Sequence, residues 1–317
     1  MSHLRSDSKR DGCTVTAKVF TWSHSEPRSQ ALLRLPHYCG TRVHGKGSHC
    51  APLFSPRINP RPVRALKAGS PFGDRPFLRS VKEHHVFEPT LIEGSITMPI
   101  DTVDIFGSDQ VGIHLASVGR VLFHPPELPQ PILETLEQAL ELELHPISIG
   151  GSNLVGALVC GNTRGIAVAD IATDSDIDKL TAFGDVVVME GGVNTAGNLL
   201  VANDQGAVAS PSIPHDGLEI LAEVLGVDIV STTVAGQDVV GSLAVANDQG
   251  VLLHPDVTPD EALLIEDILG VPPMVGTVSF GSPYVGAGVC ASNTGAVSGT
   301  KTTGPELNRI EDALGFL

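Results

Sequence analysis

From about residue 98 onward, short apolar runs alternate with polar turns at a nearly constant interval. Five times an apolar residue and a glycine open such a run: VGIHLASV, VGALVCGN, AGNLLVAN, VGSLAVAN and VGAGVCAS. The glycines are Gly112, Gly156, Gly197, Gly241 and Gly286, spaced by 44, 41, 44 and 45 residues. Self-similarity at a fixed period of this size marks a repeat architecture. A second glycine follows in four units, at Gly165, Gly206, Gly250 and Gly295, after the turns NTRG, NDQG, NDQG and SNTG. Asn and Gly supply the backbone that a tight hairpin needs, so each unit is expected to open with two antiparallel strands. The first unit departs here. It has Val121 in place of the second glycine, and its turn is expected within Ser117–Arg120.

A helix is expected after each hairpin. Thr258 with Glu261, and Thr303 with Glu306, have the spacing of a capping box, with Pro259 and Pro305 in the first turn. Leu263, Leu264, Ile268 and Leu269 recur at helical spacing, and Gly226, Gly270 and Gly315 stand at helix stops. The helix of the first unit, around 132–143, is approached through Pro125, Pro126, Pro129 and Pro131. Short β-branched stretches such as Val186–Val188 and Ile229–Val230 read as strands leading toward the next unit.

One ββα unit of this size cannot bury its own apolar face. Five units could stack as an open array or close on themselves, and closure removes the exposed sheet edges. The expectation is therefore an α/β ring with fivefold pseudosymmetry, strands toward the axis and helices outside. Its units span about 98–147, 148–190, 191–233, 234–277 and 278–317.

Charge divides the chain in the same place. Residues 1–97 hold 15 Lys/Arg and 7 Asp/Glu, a balance of +8; residues 98–317 hold 5 and 29, a balance of −24. The first 97 residues are rich in Arg, His, Ser and Pro and show no sustained period. Three readings apply to them: a tail without fixed order, a basic arm touching RNA, or upstream sequence that is not translated, with the true start at Met98. The last is preferred. His37, Cys39, His44, His49 and Cys50 are zinc-ligand types, but their spacing matches no established finger, so no metal or other cofactor is expected. No apolar run is long enough to span a membrane. The acid excess of the repeats suggests a salt-rich cytosol, with loss of structure at low salt as the expected consequence.

Chemistry is sparse. Cys160 and Cys290 lie four residues after their unit glycines, where the other units have Ala116, Val201 and Val245. A position shared with Ala and Val reads as core, and the thiols fit a reducing compartment. His124 and His254 both precede proline at one repeat position, which reads as structural. The Gly150–Asn153 stretch, GGSN, reads as a turn between units, and no phosphate-cradling glycine loop is found. The turns between units should gather on one rim. Asn153, Asn194, Thr195, Asn198, Gln237 and Tyr284 are the polar or aromatic residues in or beside them.

The stretches IGGSNLVGALVCGN (149–162), AGNLLVANDQGAVASP (196–211), VGSLAVANDQGVLLHP (240–255) and TTGPELNRIEDALGFL (302–317) resemble the translation initiation factor 6 family, its archaeal branch in particular. The resemblance runs in order through all five units. It implies the five-bladed pentein ring, with a water-filled channel, acting as a cytoplasmic, monomeric binding protein. It implies binding to the large (50S) ribosomal subunit on its inter-subunit face, mainly to an L14-type ribosomal protein near the sarcin–ricin loop. The bound factor then keeps the small subunit from joining, and a part in large-subunit biogenesis follows. By the same resemblance the TAGN segment at Asn198 belongs to the functional face. The pentein ring also serves guanidino-modifying enzymes of the amidinotransferase and deiminase kind, which use a channel cysteine. A channel-cysteine enzyme is thus the rival reading. The first unit, with its prolines and its altered turn, departs most from the family's pattern.

Overall fold

The computed structural model describes residues 99–190 and 195–317, together with the backbone of four short strands, His3–Leu4, Lys9–Arg10, Cys13–Thr14 and Ala17–Thr21. The cysteine and histidine group at 37–50 lies outside the described residues, as does Asn194.

The repeated region is a mixed α/β structure of small three-stranded sheets and helices. In the second unit, Val159–Gly161 pairs antiparallel with Gly165–Ala169, which pairs parallel with Asp185–Glu190 beyond the helix Asp174–Leu180. The same order recurs in the other units. Leu200–Ala202, Gly206–Ala209 and Asp228–Ser231 form one sheet, and Ala244–Ala246, Val251–Leu253 and Pro273–Val275 form another. Ala116–Val118, Val121–His124 and Glu143–Pro146 form the sheet of the first unit. The middle strand of each sheet is buried throughout, as expected for a short strand flanked on both edges and covered on both faces.

Two features differ from the sequence reading. The stretches Val186–Val188 and Ile229–Val230 are strands, as read, but each pairs parallel with the middle strand and completes its own unit's sheet. The unit glycines do not open strands either. Each of Gly156, Gly197, Gly241 and Gly286 lies in a four-residue helical turn that precedes the strand, and Gly112 lies in the 3-10 turn Val111–Ile113. In the N-terminal segment, where no period was found, Ala17–Thr21 runs parallel beside Asp185–Glu190 as a further strand.

The last sheet is completed from the other end of the region. Ala296–Gly299 pairs antiparallel with Val289–Ala291 and parallel with Ile100–Val103. Contacts at the unit glycines follow the same succession. A Cβ on Gly156 would lie 2.0 Å from Gly112 O, one on Gly197 1.8 Å from Gly156 O, and one on Gly241 2.0 Å from Gly197 O. On Gly286 it would lie 2.0 Å from Gly241 O, and on Gly112 2.2 Å from Gly286 O. Real side chains never approach so closely, so only glycine lets these backbones meet.

The apolar cores sit between units rather than within them. Ala116, Val118 and Phe123 of the first unit share one cluster with Val155, Ile166, Leu180 and Val186 of the second. Val103, Val111, Leu122 and Leu140 share another with Cys290 and Val297 of the last. A unit that buries its apolar side chains only against its neighbours has little stability alone.

The helices follow their local signals. Thr258 and Thr303 form capping boxes with Glu261 and Glu306, and Thr173 forms a third with Asp176. The helices His215–Leu225 and Pro259–Leu269 stop at Gly226 and Gly270, with φ of 62° and 65°. The prolines before the first helix are absorbed without distortion. Pro129 is its N-cap and Pro131 falls in the first turn of Gln130–Leu140, where a missing N–H costs nothing.

Candidate functional site

The first strand of each sheet has two ends, and they differ in character. At one end are the hairpin turns. There an asparagine ties each turn to the next unit. Asn162 Oδ1 accepts the amides of Arg164 and Gly165 at 2.9 and 3.2 Å, and its Nδ2 donates to Asn203 O at 3.1 Å and Leu225 O at 2.9 Å. Asn203 repeats this with Gln205, Gly206, Asn247 and Leu269, and Asn247 with Gln249, Gly250, Ser292 and Leu314. In the last unit Ser292 and Thr294 hydroxyls donate to Leu140 O at 2.8 and 2.9 Å. Every polar atom of each asparagine amide group is engaged, which makes these side chains structural.

At the other end are the tight turns between units. Four are closed by an isolated bridge: Ile105 with Ser108, Ile149 with Ser152, Val234 with Gln237, and Val278 with Ser282. Their tips adopt left-handed backbone, at Gly150, Gly151 and Gly236 but also at Phe106 (φ 56°), Ala235 (φ 52°), Ser279 (φ 47°) and Phe280 (φ 63°). A phenylalanine in this region is strained by roughly 1–3 kcal/mol unless its surroundings hold it there. Phe280 is 83% exposed and Phe106 51% exposed, so neither is held by burial of its ring. Tyr284, at 42%, and Leu154, at 43%, stand beside the same turns. The helical turns that follow are in mutual contact through the glycines, which brings this apolar set onto one rim.

The carboxylates of the capping boxes reach over and hold those turns. Glu306 Oε1 accepts the Gly281 amide at 2.8 Å and Thr277 Oγ1 at 2.8 Å, while Oε2 accepts the Phe280 amide at 3.1 Å and the Thr303 amide at 2.8 Å. Glu261 takes Thr233 Oγ1 at 2.6 Å and the Gly236 amide at 3.0 Å, and Asp176 takes the Gly150 amide at 2.9 Å. Partial burial would raise the pKa of Glu261, but the donations from Thr233, Thr258 and Gly236 outweigh it and bring it down to about 2. Glu306 and Asp176 are lowered in the same way, against their own desolvation. Between the last and first units, Asp109 takes the Lys301 ammonium, and also Thr300 Oγ1 at 3.1 Å.

The residues singled out from sequence fall around this rim. Asn153 O meets His114 Nδ1 at 3.0 Å, and His114 in turn stands edge-on to Phe106, with ring centroids 5.4 Å apart. Gln237 closes its turn through its backbone with Val234. Thr195 and Tyr284 are the N-cap residues of short helical turns. Asn198 lies in the layer behind, where its Oδ1 accepts Ser242 Oγ at 3.1 Å. Phe106 and Phe280 were missed. The signal was available, because Phe-Gly-Ser occurs in both turns, at 106–108 and 280–282.

Cys160 and Cys290 line one pocket together with the five unit glycines. Burial pushes both thiols up to about 12, and Cys160 Sγ donates to Leu200 O at 3.6 Å. These are protonated thiols, whereas a nucleophilic cysteine needs the thiolate. His124 is buried, with its pKa lowered by that burial, and donates through Nδ1 to Pro125 O at 2.8 Å. His254 Nδ1 accepts the Asp256 amide at 3.0 Å. Both histidines close the loop that follows the middle strand. Among the described residues, no helix is long and apolar enough to cross a membrane.

Comparison with known proteins follows the repeats. The model of the eIF-6 family matches residues 100–313. A translation initiation factor 6 of Methanocella arvoryzae is 41% identical over 218 residues, covering 69% of this chain and 99% of that protein. Those of Natronomonas pharaonis and Halorubrum lacusprofundi are each 44% identical over 213 residues, covering 67% of this chain and 96% of theirs.

Proposed function

This chain belongs to the eIF-6 family, and from that premise we propose that it binds the large (50S) ribosomal subunit and so keeps the small subunit from joining. The observation that carries this reading is the rim of boundary turns. Phe106 and Phe280 are exposed and backbone-strained, and Glu306 holds the Phe280 amide from beneath, as expected of anchors for a partner surface. The repeats then form the five-bladed pentein ring over about 98–317. Its support is the unbroken succession of glycine contacts from Gly112 through Gly286 and back.

The partner reading follows from charge. A region with 5 Lys/Arg against 29 Asp/Glu repels RNA phosphates, so contact runs mainly through a basic ribosomal protein of the L14 type, beside the sarcin–ricin loop. Asn153, Thr195, Gln237 and Tyr284 supply the polar border of the apolar anchors, Asn198 supports it from behind, and Asn194, outside the described residues, is proposed to bind with them. The factor acts as a cytoplasmic monomer, and a role in large-subunit assembly is consistent with occupancy of the same face. A guanidino-modifying enzyme would need a thiolate, and burial holds Cys160 and Cys290 as thiols.

The test is subunit re-association. Purified chain added to separated subunits should co-sediment with 50S particles and lower the yield of 70S particles. Absence of 50S binding at the native salt concentration, together with unimpaired joining, sinks the proposal.

A further inference from the structure

Four junctions between units are tied in one way, and the junction between the first and second units is not. The position held by Asn162, Asn203, Asn247 and Ser292 is Val118 in the first unit. The position of Gly165, Gly206, Gly250 and Gly295, where a Cβ would strike a helix carbonyl of the next unit, is Val121 in the first unit. The facing helix, Asp174–Leu180, has 7 residues where the others have 10 or 11. Its last carbonyl is already taken, by the Phe183 amide at 3.0 Å. With the asparagine bridge gone and the helix a turn shorter, the hairpin-turn end of this junction lacks the tie found at the others, although the two units share an apolar core.

What remains is a cavity of about 230 Å³. Its walls are apolar at Val118, Val121 and Phe183 and polar at Arg120, Asn162 and Thr163. The Phe183 ring is fixed edge-on by Phe123, at 5.3 Å, and His145, at 4.7 Å. Arg120 stands at the mouth, and its guanidinium makes no hydrogen bond or ion pair among the described residues. Arg164, at the same repeat position in the neighbouring turn, donates to Asp204 O at 3.0 Å and lies against Gly226. The other three units have Gln205, Gln249 and Thr294 there. Arg164 is thus spent on the junction between the second and third units, and Arg120 alone among the described cations lines the cavity.

We propose that this junction is a binding site for a small aromatic anion, its ring between Val118 and Phe183 and its anionic group on Arg120. Drug-sized ligands occupy roughly 300–1,000 Å³, so this volume limits the buried part to about one ring. A charge-assisted bond to the Arg120 guanidinium and one ring packed on Phe183 together give a Kd on the order of 0.1–1 mM. The site lies at the hairpin-turn end of the sheets' first strands, away from the boundary-turn rim, so it is independent of the ribosome reading. An aromatic carboxylate and a nucleoside monophosphate share the required chemistry.

Saturation-transfer NMR and titration of the full chain with benzoate, AMP, benzyl alcohol and inorganic phosphate test it. Benzoate or AMP should bind at least about tenfold more tightly than benzyl alcohol or phosphate, and whichever of the two binds identifies the source. Arg120→Gln should weaken that binding about tenfold, Arg309→Gln should not, and Phe183→Leu should weaken it while the protein still melts cooperatively. Equal binding of benzyl alcohol, indifference to Arg120→Gln, or no binding of either anion overturns the proposal.

Discussion

Glu306 holds the backbone of Phe280, not its ring: Oε2 accepts the Phe280 amide at 3.1 Å while the side chain stands 83% exposed. The same carboxylate caps its own helix through Thr303. A helix start and a protruding aromatic residue are therefore set by one group, and the strain at Phe280 is sustained without burying its ring.

Replacing the two rim phenylalanines separates binding from folding. Phe280→Ala and Phe106→Ala each remove an exposed ring and relieve left-handed strain little. Each should weaken 50S binding by roughly 1–2 kcal/mol, about tenfold, with melting temperature nearly unchanged. Quantitative co-sedimentation beside calorimetry checks this. Undiminished binding in the double variant would remove these residues from the interface.

Acid should loosen the rim through its carboxylates. Glu261 sits at about 2 in the folded protein, against roughly 4.3 when unfolded. Its folded pKa is depressed, so its contribution is complete above the unfolded value and is lost as pH falls from about 4.5 toward 2. Glu261→Gln should therefore flatten the fall in thermal stability across that window relative to the parent chain.

The inter-unit asparagines predict large losses from small changes. Asn203→Ala leaves Asn247 O, Leu269 O and the amides of Gln205 and Gly206 without this partner. A cost of about 2–4 kcal/mol follows. Gly197→Ala places a methyl 1.8 Å from Gly156 O and should cost more, roughly 4 kcal/mol or above. Denaturant titration of each variant measures both.

Thiol chemistry offers an independent check on burial. Cys160 and Cys290, pushed up to about 12, should resist iodoacetamide at pH 8 in the folded protein and react readily in denaturant. Mass spectrometry after tryptic digestion reads each site separately. Rapid labelling of either in the native state would reopen the enzyme reading.

Much of the fold was legible because it repeats. The unit glycines recur at the same spacing since each must admit a neighbour's carbonyl, and the capping boxes at Thr258 and Thr303 are local patterns. What could not be read was pairing at a distance. Val186–Val188 is apolar and β-branched whether it leaves a unit or completes it, and only its parallel register with Ile166–Val168 decides. The role of Ile100–Val103 is invisible for the same reason. At the candidate site, the second duty of Glu261 and Glu306 depends on turns some 25 residues earlier in the chain, outside the window of any capping motif.

The pairing of Ile100–Val103 with Ala296–Gly299 also sets a schedule. Synthesis delivers the first strand of the repeats long before its partner, and the chain between them must be made and arranged before the two can meet. Loop closure over such a span is slow, and contacts of this kind form late. Until then the edge of Ala296–Gly299 is open and the Val103 and Val297 faces share no core. Pulse-labelling hydrogen exchange should find this ladder forming among the last during refolding. A short peptide matching residues 99–104, supplied in excess, should compete for the vacant edge and delay completion.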